Sequence, residues 1–130
     1  MLKDRKMAHI GLATNHVVED VAWYQNILGF QKIGEFKTPA GEKVFFLKGN
    51  GFVYEIYQPS IPVSKEQAGK IDHIALESAD IEADYKECVE QGCCITTNGI
   101  EQISTFWERG IRYFKIKSPT GEEIEFCQIM

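Results

Sequence analysis

Apolar and polar positions along the chain fall into two similar cycles. The first opens on His9-Ile10-Gly11-Leu12-Ala13, where Ile10 and Leu12 alternate with His9, Gly11 and Ala13, the period of a strand. Apolar residues then recur at helical spacing, Val21, Tyr24, Ile27 and Leu28, and predict a helix over 18–28 stopped by Gly29. Three strands are predicted after it, over 31–37, 43–48 and 52–58, with turns at Gly41 and at Gly49-Asn50-Gly51. The cycle restarts 64 residues after His9 with His73-Ile74-Ala75-Leu76-Glu77. A second helix is predicted over 81–91, with Ile81, Tyr85, Cys88 and Val89 on one face, Asp80 as its N-cap and Gly92 as its stop. Strands are predicted over 94–97, 112–117 and 122–129, the last entered through Pro119-Thr120-Gly121. Residues 98–110 read as a long irregular stretch, and residues 59–70, with two prolines, as a connector.

The element order is therefore β-α-β-β-β, twice, in half-modules 7–58 and 71–129. A duplication of this kind predicts an α+β fold of two four-stranded sheets, each backed by a helix. The 130 residues make one domain of ordinary size. With 44% hydrophobic and 25% charged residues the composition is that of a globular chain. The net charge of −5 and the dispersed basic residues disfavour a nucleic-acid binder of the usual basic type. No apolar run is long enough to span a membrane. Residues 1–6 lack the apolar segment of a secretory signal, and the expected location is the cytoplasm. The four cysteines, at 88, 93, 94 and 127, have no zinc-site spacing and read as reduced, small apolar residues.

Alternation then assigns faces. With Ile10, Leu12, Ile74 and Leu76 turned to the helices, His9 and His73 face the open side of each sheet. On the strand 52–58, Tyr54 and Ile56 oppose Glu55; on the strand 122–129, Ile124 and Phe126 oppose Glu125. Each half thus places one His and one Glu on its open face. A carboxylate in the middle of an apolar strand needs a partner or water, because burying it alone costs several kcal/mol. Hydrogen-bonded histidines over a wet groove would satisfy these residues. One divalent transition metal would satisfy all four through a single cause, since imidazole and carboxylate suit Zn, Ni, Co, Mn or Fe and leave positions open for substrate. His16, in the loop before the first helix, matches nothing in the repeat and reads as a surface residue.

From residue 8 to residue 128 the chain resembles the vicinal-oxygen-chelate superfamily, the glyoxalase I, bleomycin-resistance and extradiol-dioxygenase group. The resemblance is carried by His9-Ile10-Gly11-Leu12, by Trp23-Tyr24-Gln25-Asn26-Ile27-Leu28-Gly29-Phe30, by Glu55, by Asp72-His73-Ile74-Ala75, and by Ser118-Pro119-Thr120-Gly121-Glu122-Glu123-Ile124-Glu125. It implies two tandem βαβββ modules forming a cup-shaped, metal-centred sheet assembly, with His9, Glu55, His73 and Glu125 as the metal ligands. The His, Glu, His, Glu set is similar to that of bacterial glyoxalase I. It implies a metal-dependent lyase or isomerase acting on a small hydroxy-carbonyl or thioester-type substrate through a metal-bound enediolate, with Glu125, and by pseudo-symmetry Glu55, as the proton-transferring base. An acyl-CoA epimerase of the methylmalonyl-CoA type, a non-catalytic ligand-sequestering or resistance protein, and an Fe(II) dioxygenase are the alternatives that the resemblance leaves open. Ala13 stands where glyoxalase I usually has an Arg, and no Asn follows Glu55 in Ile56-Tyr57-Gln58-Pro59, so the thiol carrier is not fixed. Tyr57, Trp107, Arg109 and Arg112 are the candidate substrate contacts. Unprotected strand edges and the superfamily's habit of pairing modules point to a homodimer.

Overall fold

The computed structural model describes Lys3 and residues 9–64 and 73–130. Residues 7 and 8, 71 and 72, most of the N-terminal six and the connector from 65 to 70, on which several expectations fall, lie outside the described residues. The chain divides into two compact units, Met1–Gln67 and Ala68–Met130.

The first unit runs β1 (Ile10–Ala13), α1 (Val17–Leu28), β2 (Gln31–Lys37), β3 (Lys43–Gly49) and β4 (Phe52–Tyr57). Its sheet has the order β1-β4-β3-β2, with β1 parallel to β4 and the other pairs antiparallel. The expected elements are present, and His9 sits one residue before β1. The alternation sorts as read: Leu12, Tyr54 and Ile56 are buried with Val17, Val21 and Tyr24 of α1, while Gly11, Glu55 and Tyr57 keep solvent contact. Tyr24 is fully buried and stacks on Phe30, with ring centroids 5.6 Å apart. Gly29 makes that stack possible. At φ 69° it reverses the chain in the left-handed region. The Tyr24 carbonyl accepts the Phe30 N–H at 3.2 Å.

The second unit runs β5 (His73–Glu77), α2 (Ile81–Glu90), β6 (Cys94–Ile95), β7 (Glu101–Ile103), β8 (Ile111–Lys117) and β9 (Glu123–Ile129). The order is β5-β9-β8-β6, and β7 also pairs with β8. Asp80 caps α2 as expected, its side chain accepting the Ala83 N–H at 3.1 Å. The stretch expected to be irregular, 98–110, contains β7. The register explains it: β6 covers the Lys117 end of β8 and β7 covers the Ile111 end. Together they occupy the place that β2 fills against β3, interrupted by residues 96–100. Thr96, Thr97, Asn98 and Gly99 there hide the strand signal from a periodicity reading.

The duplication reaches further than the strand and helix pattern. Thr14 donates its hydroxyl to the buried Asp20 carboxylate, and Ser78, 64 residues on, donates to Asp84 at 2.5 Å. The first N–H of each helix is accepted by a glutamine from the end of the last strand: Val17 by Gln58 at 3.2 Å, Ile81 by Gln128 at 3.0 Å. Thr14 N–H bonds the Tyr57 carbonyl at 3.0 Å and Ser78 N–H the Cys127 carbonyl at 2.8 Å. Each clamp ties strand end to helix start and satisfies donors that a helix N-terminus leaves open, with an acidic residue in the favourable first turn. Thr14→Ala strips a hydroxyl from a carboxylate that is 4% exposed. It is expected to cost about 1–3 kcal/mol, read as a lower urea midpoint with an unchanged slope.

The aromatic stack under α1 is not repeated. At the matching places α2 has Cys88 and the residue after its stop is Cys93, whose N–H bonds the Cys88 carbonyl at 2.9 Å. The two thiols contact each other, and burial, with Cys93 adding to it, pushes Cys88 up to about 12. Both are free, as expected.

Candidate metal and substrate site

Each unit brings together one pair of the sequence-predicted ligands. In the first, Gly11 pairs across the parallel β1–β4 ladder with Glu55, which puts His9 on the same face one diagonal step away. Its Nε2 lies 3.6 Å from Glu55 Oε2. In the second, Ala75 pairs with Glu125 across β5–β9, and His73 Nε2 lies 3.3 Å from Glu125 Oε2. The register is the same in both halves: the Glu is opposite the residue two after the His.

These separations suit a metal. With metal–ligand bonds of about 2.1 Å, neighbouring ligand atoms on one ion lie roughly 3.0–3.4 Å apart. Each pair presents an imidazole nitrogen and a carboxylate oxygen at about that spacing. All four side chains retain solvent access, Glu125 least at 12%. Among the described residues no group of three or more His, Cys, Asp and Glu side chains is placed to hold a metal ion. What each unit displays is one imidazole–carboxylate pair.

The neighbours of the two carboxylates differ. Across β3–β4 Glu55 faces Phe46, while across β8–β9 Glu125 faces Lys115. Phe46 meets the His9 ring edge-on at 5.5 Å and the Phe36 ring at 6.0 Å. Gly34 lets Phe36 fold down there, since a Cβ on it would come 2.7 Å from the Phe36 ring. The first open face is thus aromatic, Phe36, Phe46 and Tyr57 around Glu55. The second is polar. Tyr113, paired with Cys127 and Glu101, donates its hydroxyl to Glu101 at 2.8 Å. Donation from the Asn98 N–H, then from Tyr113, and the charge of Lys115 hold the Glu101 carboxyl below its usual range. Tyr113 is raised in turn, chiefly because its proton is shared with Glu101.

The candidate substrate contacts are placed unequally. Tyr57 is on the open face, two residues from Glu55. Trp107 and Arg109 lie in the exposed loop 104–110, where Trp107 has φ 59°, a costly conformation for a bulky residue. Arg112 is on the α2 side of β8, with its guanidinium 3.0 Å from Glu82. It is turned away from the face that carries Glu125. His16 is exposed, as read. Sequence reading missed Lys115, whose position opposite Glu125 depends on the β8–β9 register, which no residue type announces.

The sequence profile of the Glyoxalase/Bleomycin resistance protein/Dioxygenase superfamily matches residues 8–113, and the chain belongs to that superfamily. It is 28% identical over 131 residues to the uncharacterized protein YwbC of Bacillus subtilis, covering 95% of this chain and 98% of that one. In fold it is similar to the fosfomycin resistance protein FosX from Listeria monocytogenes, solved with Mn(II) and sulfate. There the TM-score is 0.71 and the identity 16%, over 100% of this chain and 95% of that one. A glyoxalase I variant from Zea mays matches with a TM-score of 0.76 at 16% identity, over 95% of this chain and 44% of that one. The α+β class follows from the elements and from these matches. No helix among the described residues is long and apolar enough to cross a membrane.

Proposed function

We propose that the chain is a metal-dependent lyase or isomerase, glyoxalase-I-like, acting on a small hydroxy-carbonyl or thioester-type substrate. The observation that carries this reading is the repeated His/Glu pair: two pairs at one register, with nitrogen and oxygen 3.3 Å apart in the second, within the spacing of adjacent ligands, and 3.6 Å apart in the first, slightly beyond it. His9, Glu55, His73 and Glu125 would hold one divalent ion, Ni, Co, Zn, Mn or Fe. When bound, such an ion acts as a Lewis acid toward substrate oxygens.

The chain's own residues supply the rest. Glu125, the least exposed of the four, takes a proton from carbon and returns it to the neighbouring carbon, and Glu55 shares the task by pseudo-symmetry. Tyr57 borders the substrate on the first face, with Trp107 and Arg109 reaching it from their loop. The single domain works in the cytoplasm as a homodimer, with a small molecule as its partner and neither nucleic acid nor membrane.

The test is metal loading followed by an activity screen. One ion per chain and turnover of a hemithioacetal is expected. Turnover confined to 2-methyl acyl-CoAs would shift the assignment to an epimerase. Oxygen uptake with catechols would shift it to a dioxygenase, and tight binding without turnover to a sequestering protein. Absence of metal uptake at micromolar Zn, Ni and Mn would overturn it altogether.

A further inference from the structure

The two halves repeat their clamps and their His/Glu pairs, yet the residue beside each carboxylate has changed in kind. Phe46 stands across from Glu55, and Lys115 stands at the matching place across from Glu125. The exchange of an aromatic ring for a cation at one register position is a chemical difference that packing on an open face does not require.

The fold also anchors that lysine. Its N–H donates to Thr97 Oγ1 at 3.1 Å, and its carbonyl accepts the Thr96 N–H at 2.9 Å. These bonds come from residues 96–100, the interruption between β6 and β7, which lies opposite Phe114 and Lys115. Irregularities in edge strands commonly re-aim side chains beside functional sites. Glu101 and Tyr113 occupy the next row of the same face, so Lys115 stands between two carboxylates, Glu101 and Glu125. Its ammonium offers three donors on a flexible stem.

We infer that Lys115 is the specificity-determining residue of the second His/Glu pair, and that it selects substrates carrying an anionic group, a carboxylate or a phosphate-type oxyanion, next to the carbon that Glu125 serves. This rests on the proposed function for the role of Glu125 and adds the substrate class. A negative group approaching Glu125 would otherwise meet like charge from Glu125, Glu101 and Glu123. Lys115, with Lys117 one row further along β8, supplies the opposite sign on that face. Loss of one charge-assisted hydrogen bond corresponds to about tenfold or more in affinity.

Two small probes of similar size separate the outcomes: pyruvate, an anion with adjacent carbonyl and carboxylate oxygens, and hydroxyacetone, a neutral molecule with adjacent carbonyl and hydroxyl oxygens. Each is titrated into 15N-labelled protein, metal-free and zinc-loaded, and followed by amide shifts. The expected result is preferential binding of pyruvate, with shifts at Lys115 and Thr97. Lys115→Gln weakens pyruvate about tenfold and leaves hydroxyacetone unchanged, while Lys115→Arg keeps most of the affinity. Equal binding of the two probes, no binding of pyruvate in either metal state, or an unaltered pyruvate affinity in Lys115→Gln would overturn the inference. Zinc stoichiometry is measured on the same samples. If no zinc binds but pyruvate still depends on Lys115, the metal reading fails and the anion site stands.

Discussion

Replacing Glu125 by glutamine is expected to lower turnover at least about 10²-fold while the metal stays bound. The substitution keeps the side-chain shape and one oxygen that can ligate, and removes the basic charge that accepts a proton. General-base contributions of this kind are typically 10²–10⁴-fold. Glu125 lies 3.3 Å from His73 and is only 12% exposed, so its place in the sheet should survive the change. Metal content by elemental analysis and initial rates on the substrate found by screening check the result together. Glu123→Gln is the control: its carboxylate is occupied by the Thr96 hydroxyl at 2.5 Å, and its counterpart in the first half, Val53, carries no charge. If Glu125→Gln turns over normally and Glu55→Gln does not, with metal bound in both, the base belongs to the first half.

Tyr24→Ala is expected to cost about 3–5 kcal/mol, the usual cost of emptying a buried aromatic site. Tyr24 is 0% exposed and touches Phe30, Tyr54 and Trp23 within ring centroid distances of 5.2–5.6 Å. Removing it leaves a void against β4, the strand that carries Glu55. Chemical denaturation gives the size of the loss, and tryptophan fluorescence reports it directly because Trp23 packs on the missing ring. A change below 1 kcal/mol would mean that α1 can collapse onto the sheet, and that the Tyr24–Phe30 stack is replaceable.

That stack also shows what the sequence made legible. The run from Trp23 to Phe30 is one of the strongest marks of the superfamily in this chain, yet it does structural duty: an aromatic core and a left-handed glycine that ends the helix. The two histidines and two glutamates could be placed on their faces because strand alternation needs only a period of two. The face of each residue followed from that period, and the pairing within each half from the repeat. Three things were out of reach. β7 was hidden because three residues beside a broken stretch carry no measurable period. The face of Arg112 depends on where β8 begins, and its ion pair with Glu82 comes from a helix 30 residues away in sequence. The neighbour of Lys115 is set by antiparallel register, a long-range property.

The clamps at the helix starts were equally invisible. Thr14, Asp20 and Gln58 are unremarkable one at a time, and only the recurrence of Ser78, Asp84 and Gln128 in the same hydrogen-bonding roles shows that they act as a unit. Sequence repeats sought through apolar positions alone overlook such polar correspondences.

The interruption of the outer strand in the second unit has an evolutionary corollary. The path from His9 to Glu55 is 46 residues and that from His73 to Glu125 is 52, yet β3 and β8 are both seven residues long. The growth was absorbed by turns and by residues 96–100, beside an outermost strand. A strand inside a sheet is held from two sides, and an insertion there breaks two ladders and rotates every later side chain to the wrong face. An outermost strand has one neighbour, so extra length bulges outward and the inner ladders keep count. A change of length in residues 96–100 therefore leaves the β5–β9 and β8–β9 ladders in register, and His73 and Glu125 stay in step.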